Sequence, residues 1–312
     1  MATIVGIPVV DFSPCSSQNS EVSDESLKKV GSEICKAFTE VGFVYITGHG
    51  IPGEQIERFF QTTQSFFYLP GEVKSRYAMR KGEYHGFAAT ETERLNPDRP
   101  QDFKETMNYL PGCPIKDWPV TEVPQFVKDY QNFFDTCSHL GHRVLQSIAA
   151  GLGLQDIKSF QKFHQFLGQP GNLTALRTLH YPPVKVNELK EGQLRLGEHS
   201  DYGSITLLFQ DDVGGLEVEG INGEWIPATP IPGTIIVNVG DMLMRMTAGK
   251  LKSNRHKVVV PEEEVRRKVP RFSAAFFMMT DQEAVISPLD GSTSYAPLTM
   301  GEYINKKFAE TY

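Results

Sequence analysis

The sequence lacks any apolar run that approaches the roughly 20 residues needed to cross a bilayer as a helix, so we expect no membrane partner. Its first residues, MATIVGIPVVDF, also lack the basic stretch and long apolar segment of a secretory signal. Both absences favour a cytoplasmic protein.

Cysteines and basic clusters are also scarce. The four cysteines are scattered with no CxxC pair, which favours reduced thiols over a disulfide framework or a cysteine-based zinc site. The net charge is −7 and no Lys/Arg cluster is interleaved with aromatics, which argues against nucleic acid as the main partner. The basic residues 266–268 follow three glutamates, and we expect a solvated hairpin of mixed charge there.

The N-terminal half has the apolar spacing of helices. A chain of 312 residues can form one domain, because β-rich folds often reach this length around one core. The spacing predicts helices over residues 24–41, 52–69 and 124–150, with Ser23 as an N-cap, and a strand over residues 43–46. Residues 80–118 contain several Gly and Pro residues without periodicity, which predicts a long irregular segment that acts as a lid or binding loop.

From Leu173 onward the pattern changes to short runs rich in β-branched and aromatic residues, separated by Gly, Pro, Asn and Asp. Such runs predict the strands of a sandwich or distorted barrel, followed by a closing helix over residues 298–308. The expected fold class is therefore mainly β with flanking helices.

Two histidines and an aspartate are the first chemical signal. His199 and Asp201 are separated by two positions, so in an extended segment both side chains project to one face. An isolated HxD is more often an ordinary hydrogen-bonded pair, but His256 lies in another β-prone run and can add a third ligand. Two histidines and one carboxylate leave open positions on iron(II) for a chelating co-substrate and dioxygen.

A second pair is suited to hold a carboxylate. Arg271 and Ser273 share a strand face by the same two-residue period, and they offer a guanidinium fork and a hydroxyl. Tyr181, in the run LHYPP, can add a phenolic hydroxyl. Each feature alone is more often structural.

In combination these motifs resemble the isopenicillin N synthase-like branch of the 2-oxoglutarate/iron(II)-dependent oxygenases. The likeness extends from IPVVDF and GFVYITGHGIP through GEHSDYGSITLLFQ and VNVGDMLMRMTAGKLKSNRH to PRFSAAFF. It implies a double-stranded β-helix, or jelly roll, over residues 171–312, with a mainly helical region over residues 1–170, in a single catalytic domain over residues 1–312. The segment between His256 and Arg271 is longer than in many plant members.

The resemblance also implies roles and co-substrates. His199, Asp201 and His256 match the iron ligands, which are the catalytic residues, and Arg271, Ser273 and Tyr181 match the groups that bind the distal carboxylate of 2-oxoglutarate. The implied reaction uses O2, releases succinate and CO2, and oxidises or hydroxylates a small molecule; ascorbate is an optional reductant.

Three alternatives share part of this pattern: an iron oxidase of the same family that does not use 2-oxoglutarate, a metal-dependent isomerase or lyase on a jelly roll, and a non-catalytic binding protein. A requirement for 2-oxoglutarate distinguishes the expected activity from all three.

Within the family, the motifs look most like the microbial subgroup that includes thymine 7-hydroxylase and the ethylene-forming enzyme. That likeness implies a substrate cavity lined by Arg177, Tyr202 and Phe277, which suits a flat heteroaromatic or small anionic molecule. Tyr84, Phe87 and Glu93 lie in the irregular segment and are further expected substrate residues. The substrate, the type of oxidation and the oligomeric state are left open.

Overall fold

The structure, a computed structural model, describes residues 6–94, 96, 98–184 and 189–311, without the side chains of residues 264 and 308–311. The helices are α1 Asp24–Glu40, α2 Gly53–Phe67, α3 Gly71–Lys74, α4 Phe126–Gly151, α5 Asp241–Met246, α6 Glu264–Arg267 and α7 Met300–Thr311. Within these residues no helix is long and apolar enough to cross a membrane.

The strands form two larger sheets and one small one. They are β1 Val9–Asp11, β2 Phe43–Thr47, β3 Gly86–Ala88, β4 Glu105–Tyr109, β5 Ala175–Tyr181, β6 Leu196–His199, β7 Ile205–Gln210, β8 Leu216–Glu219, β9 Trp225–Pro227, β10 Ile235–Val239, β11 His256–Val258, β12 Arg271–Met278, β13 Val285–Ile286 and β14 Leu298–Thr299. The order is β1-β2-β10-β7-β12-β5-β4-β3 in the first sheet and β6-β11-β8-β9 in the second, while β13 pairs with β14.

The two larger sheets share a core. Buried side chains from both sheets, among them Leu179 and Ile236 of the first and Leu196 and Val218 of the second, form one apolar cluster. All pairings described in these sheets are antiparallel except that of β1 with β2. The predicted mainly β jelly roll with flanking helices is confirmed.

The helices cover the other face of the first sheet. Phe38 of α1, Phe59 of α2 and Phe133 of α4 belong to one buried cluster with sheet residues such as Phe276. Close contact between α1 and α4 depends on Gly31, since a Cβ there would collide with the Ser147 carbonyl oxygen. The helical layer therefore supports the sheet that carries Tyr181, Arg271 and Ser273.

The local predictions for this layer are confirmed to within two or three residues at their ends. The Ser23 hydroxyl accepts a hydrogen bond from the Ser26 amide at 3.1 Å and caps α1. The predicted closing helix corresponds to α7. The four cysteines are free thiols.

Two predictions were wrong. Residues 80–118 are not irregular throughout, because β3 and β4 pair with each other and β4 joins β5 in the first sheet. The mixed-charge segment is a single helical turn, α6, instead of a hairpin: the Arg267 amide donates to the Glu263 carbonyl, and Arg266 pairs with Glu263 three positions earlier.

Candidate metal centre and adjoining cavities

The second sheet brings the three predicted iron ligands together. His199 at the end of β6 lies directly opposite His256 at the start of β11, with ring centroids 4.2 Å apart. Asp201 follows β6, and its Oδ1 atom is 3.8 Å from His199 Nε2 and 3.7 Å from His256 Nε2. One ligand atom from each residue lies within 4.8 Å of the other two. This donor set suits iron(II) and leaves further coordination positions open.

Hydrogen bonds fix the orientation of the Asp201 carboxylate. Its Oδ2 atom accepts from Thr206 Oγ1 at 2.6 Å and from Asn238 Nδ2 at 2.7 Å. Thr206 and Asn238 are themselves paired across β7 and β10. Since both donors hold Oδ2, the Oδ1 atom is left to face the two imidazoles.

The backbone around Asp201 is held by the start of α5. The Asp241 amide donates to the Asp201 carbonyl at 2.8 Å, and the Met242 amide donates to the Gly203 carbonyl at 3.0 Å. The chain can approach this closely because Gly240 has no side chain, and a Cβ there would overlap the Gly203 carbonyl. The aspartate therefore projects from a well-anchored turn.

The protonation states suit metal binding. Burial and the neighbouring His256 lower the pKa of His199 to about 3, so its imidazole is neutral at physiological pH. His199 Nδ1 lies 2.9 Å from the Gly197 carbonyl, which leaves Nε2 as the ligand atom. Burial tends to raise the pKa of Asp201, but the two histidines and the hydrogen bonds from Thr206 and Asn238 lower it overall. The centre thus offers the neutral imidazole of His199 and the carboxylate of Asp201 beside the His256 ring.

A small cavity lies between the three ligands and β12, and we call it the inner cavity. The side chains that alternate along one face of β12, Arg271, Ser273, Ala275 and Phe277, line it together with Tyr181. Arg271 pairs with Tyr181 across β12 and β5, and the guanidinium carbon lies 4.8 Å from the centre of the tyrosine ring. The carboxylate-binding groups expected from the sequence therefore meet in one buried place.

The inner cavity fits a carboxylate ligand. Arg271, Ser273 and Tyr181 are each 1% exposed, so an anion that enters is shielded from water. Arg271 donates to Ser273 Oγ and to Gln210 Oε1, both at 3.1 Å. Its Nε atom is buried without a hydrogen-bond partner among the described residues. A guanidinium whose Nε donor is unused, beside a hydroxyl, offers the donors that a ligand carboxylate needs.

A second, larger cavity also borders the ligands, and we call it the outer cavity. His199, Asp201 and Phe277 line both cavities. Most of its other lining is apolar, including Leu173 and Ile304, and its polar side chains include Arg177, Asn108, Tyr84 and Tyr202. Four of the six expected substrate residues thus line this cavity: Arg177, Tyr202, Phe277 and Tyr84.

The other two expected substrate residues have different surroundings. Phe87 is buried in the core, where its ring lies 5.7 Å from that of Phe66. Glu93 is buried behind Arg177 and accepts from Arg177 Nη2 at 3.2 Å and from Lys104 Nζ at 2.9 Å. Neither side chain is among those that line the outer cavity. Glu93 contributes by holding Arg177.

Sequence reasoning missed several residues that shape the site. Asn108 accepts from Arg177 Nε at 2.6 Å and lines the outer cavity, and Lys104 forms a buried pair with Glu93 and Asp102. Both lie on or beside β4, in the segment predicted to be irregular. Thr206 was visible as a threonine in the run SITLLFQ, but nothing in the sequence indicates that it contacts Asp201.

Comparisons with known proteins agree with this geometry. Residues 172–280 match the 2OG-Fe(II) oxygenase superfamily, and residues 7–129 match the family described as non-haem dioxygenase in morphine synthesis N-terminal. The chain is similar to the 2-oxoglutarate-Fe(II) type oxidoreductase ppzD of Metarhizium rileyi, with 32% identity over 90% of this chain and 85% of that protein. It is also 32% identical to the proline hydroxylase buaE of Petromyces alliaceus, over 88% of this chain and 91% of that protein.

The fold has a counterpart among solved structures. The full-length thymine 7-hydroxylase of Neurospora crassa, in complex with alpha-KG and thymine, is 32% identical and covers 99% of this chain and 98% of its own, with a TM-score of 0.85. The resemblance to the thymine 7-hydroxylase group is therefore confirmed at the level of sequence and fold. Together the metal centre, the matched families and the relatives identify this chain as a member of the 2OG-Fe(II) oxygenase superfamily, a dioxygenase that requires iron(II) and 2-oxoglutarate.

Proposed function

We propose that His199, Asp201 and His256 hold the catalytic iron, and that Arg271, Ser273 and Tyr181 bind the distal carboxylate of 2-oxoglutarate. The observation that carries this proposal is the position of the ligand cluster, since His199 and Asp201 line both cavities. Iron bound there supplies the oxidising chemistry of the family, in which O2 and 2-oxoglutarate are consumed and succinate and CO2 are released. The protein's own groups anchor the co-substrate in the inner cavity and admit the substrate to the outer cavity.

We infer that the substrate is a small molecule hydroxylated in the outer cavity. Phe277 and Tyr202 offer aromatic faces, and Arg177 offers a guanidinium held by Asn108 and Glu93. Because Arg177 is tied at Nε and at one Nη, its orientation is set before a substrate arrives. This combination suits a flat heteroaromatic or small anionic molecule. The related Neurospora enzyme crystallised with thymine makes nucleobases the first class to screen.

The eight-stranded sheet supports a single catalytic unit over the whole chain. It takes β1–β4 from the region before residue 171 and β5, β7, β10 and β12 from the region after it. Arg177 of β5 is held by Asn108 of β4, so the two regions also meet at the outer cavity. The cytoplasmic location remains a prediction from the sequence.

The triad assignment is tested with His199→Ala, Asp201→Ala and His256→Ala. We expect each variant to remain folded by circular dichroism and to lose both iron(II) binding and succinate formation from 2-oxoglutarate. The matched control is His139→Ala, which removes a histidine of α4 that lies outside the site. A folded triad variant that binds iron(II) as tightly as the unaltered protein would show that the metal lies elsewhere.

A further inference from the structure

Arg195 is a buried arginine that the proposed function does not use. It lies immediately before β6, the strand that carries His199, and its side chain is fully buried. None of its three guanidinium nitrogens has a hydrogen-bond partner among the residues that the structure describes. A buried charge without partners is strongly destabilising, so folded proteins rarely retain one unless an anion compensates it.

The surroundings of Arg195 indicate where that anion binds. Its guanidinium carbon lies 5.9 Å from the centre of the Tyr181 ring, the same ring that Arg271 faces at 4.8 Å. Two guanidiniums therefore lie near one tyrosine that lines the inner cavity; Arg271 lines the cavity as well, whereas Arg195 is not among the lining side chains. Among the described residues, Asp211 is a carboxylate close enough to influence both arginines, but its two oxygens already accept from the Phe272 and Val213 amides.

The charges around the inner cavity support the same conclusion. Burial and the neighbouring Arg271 lower the pKa of Arg195 to about 10, so it is still charged at physiological pH. The charges of Arg195 and Arg271 balance those of Asp201 and Asp211, so the two positive charges of bound iron(II) would leave the site with a positive excess. 2-Oxoglutarate is a dianion, and its two carboxylates neutralise that excess.

We propose that Arg195 is a second cationic group of the 2-oxoglutarate site, which strengthens binding of the distal carboxylate beside Arg271 and Tyr181. This inference rests on the proposed function, since it assumes that 2-oxoglutarate occupies the inner cavity. It predicts that Arg195 discriminates between 2-oxo acids with and without a distal carboxylate. A purely structural arginine would not discriminate between them.

The experiment compares two ligands on the iron(II)-loaded protein without oxygen. 2-Oxoglutarate and 2-oxopentanoate have the same carbon chain, but 2-oxopentanoate ends in a methyl group instead of the distal carboxylate. Binding is followed by the visible absorption of the iron(II) chelate, and thermal unfolding is measured with and without each ligand. Arg195→Met removes the charge, Arg195→Gln retains donors without charge, and Arg195→Lys retains the charge. Arg143→Met, which removes a half-buried arginine of α4, is the control.

We expect Arg195→Met to raise the Kd for 2-oxoglutarate on the order of 10-fold to 100-fold, since a charge-assisted interaction is lost. The Kd for 2-oxopentanoate should not change, and Arg195→Lys should recover part of the affinity for 2-oxoglutarate. The melting temperature of ligand-free Arg195→Met should be no lower than that of the unaltered protein, because an uncompensated charge has been removed.

Three outcomes would overturn the role of Arg195: an unchanged Kd for 2-oxoglutarate, a parallel loss for both ligands, or ligand-free Met and Gln variants that both fail to fold. The third would mean that the arginine is structural. If the unaltered protein bound neither 2-oxo acid, the proposed function itself would fail, and that result is distinct from the other three.

Discussion

The orientation of the Asp201 carboxylate should determine how tightly the metal binds. Thr206 Oγ1 donates to Asp201 Oδ2 at 2.6 Å, and Thr206→Val replaces this hydroxyl by a methyl group of similar size. The carboxylate keeps its second donor, Asn238 Nδ2 at 2.7 Å. We therefore expect a folded protein in which Asp201 is held at one point instead of two and rotates more freely.

The size of the expected loss in metal affinity follows from the number of donors that hold Asp201 Oδ2. Loss of a group that orients a metal ligand typically lowers metal affinity about 10-fold to 100-fold. Since one of two donors remains, Thr206→Val should lower affinity about 10-fold, which corresponds to about 1.4 kcal/mol of binding free energy. Thr206→Val combined with Asn238→Ala should approach about 100-fold, because no donor then holds Oδ2.

The assay is competition between the protein and a coloured chelator for cobalt(II) or iron(II), with circular dichroism on every variant. Thr178→Val is the matched control, since Thr178 is equally buried but its hydroxyl contacts Tyr130, away from the metal. Unaltered metal affinity in a folded Thr206→Val protein, or an equal loss in Thr178→Val, would refute the view that Oδ2 contacts set the affinity of the site.

Three further predictions concern the surroundings of the site. Lys104→Met should lower the free energy of unfolding by about 3–5 kcal/mol in urea titrations, because Glu93 and Asp102 lose a buried partner; a loss below about 1 kcal/mol would contradict this. Burial lowers the pKa of His164 to about 4, so the unfolded state takes up a proton as pH falls below 6.5 and stability decreases by about 1.4 kcal/mol per pH unit until about pH 4. Urea titrations of His164→Gln should show a correspondingly weaker pH dependence over that range, and an unchanged slope would contradict it. Arg177→Met should raise KM for a small substrate at least about 10-fold without changing the Kd for 2-oxoglutarate, and equal changes in both would contradict a role confined to the outer cavity.

The elements that were predictable are those whose signals are local. In α1 the apolar side chains recur at helical spacing and Ser23 supplies the cap, so both the helix and its start could be read from neighbouring residues. The same holds for α4, whose apolar stripe faces the first sheet. These helices would bury the same face whatever the details of the site.

The prediction that residues 80–118 are irregular was wrong for a specific physical reason. On β4 the side chains of Thr106 and Asn108, and Lys104 just before the strand, are polar yet buried. They face partners such as Glu93 and Arg177, so only Met107 and Tyr109 give this short strand an apolar signal. Strand prediction from hydrophobic alternation assumes that buried positions are apolar, and a buried network of charges removes that signal.

The residues of the site also divide into those with a local sequence signal and those without one. His199 and Asp201 were recognisable because the two-residue period places them on one face within three consecutive residues. Thr206 and Asn238, which orient the carboxylate, meet only because β7 pairs with β10 in one register. A register shifted by one residue would turn Asn238 to the opposite face and leave Asp201 with one donor. The pairing of distant strands therefore supplies the second donor to the Asp201 carboxylate, and a sequence pattern alone does not contain that pairing.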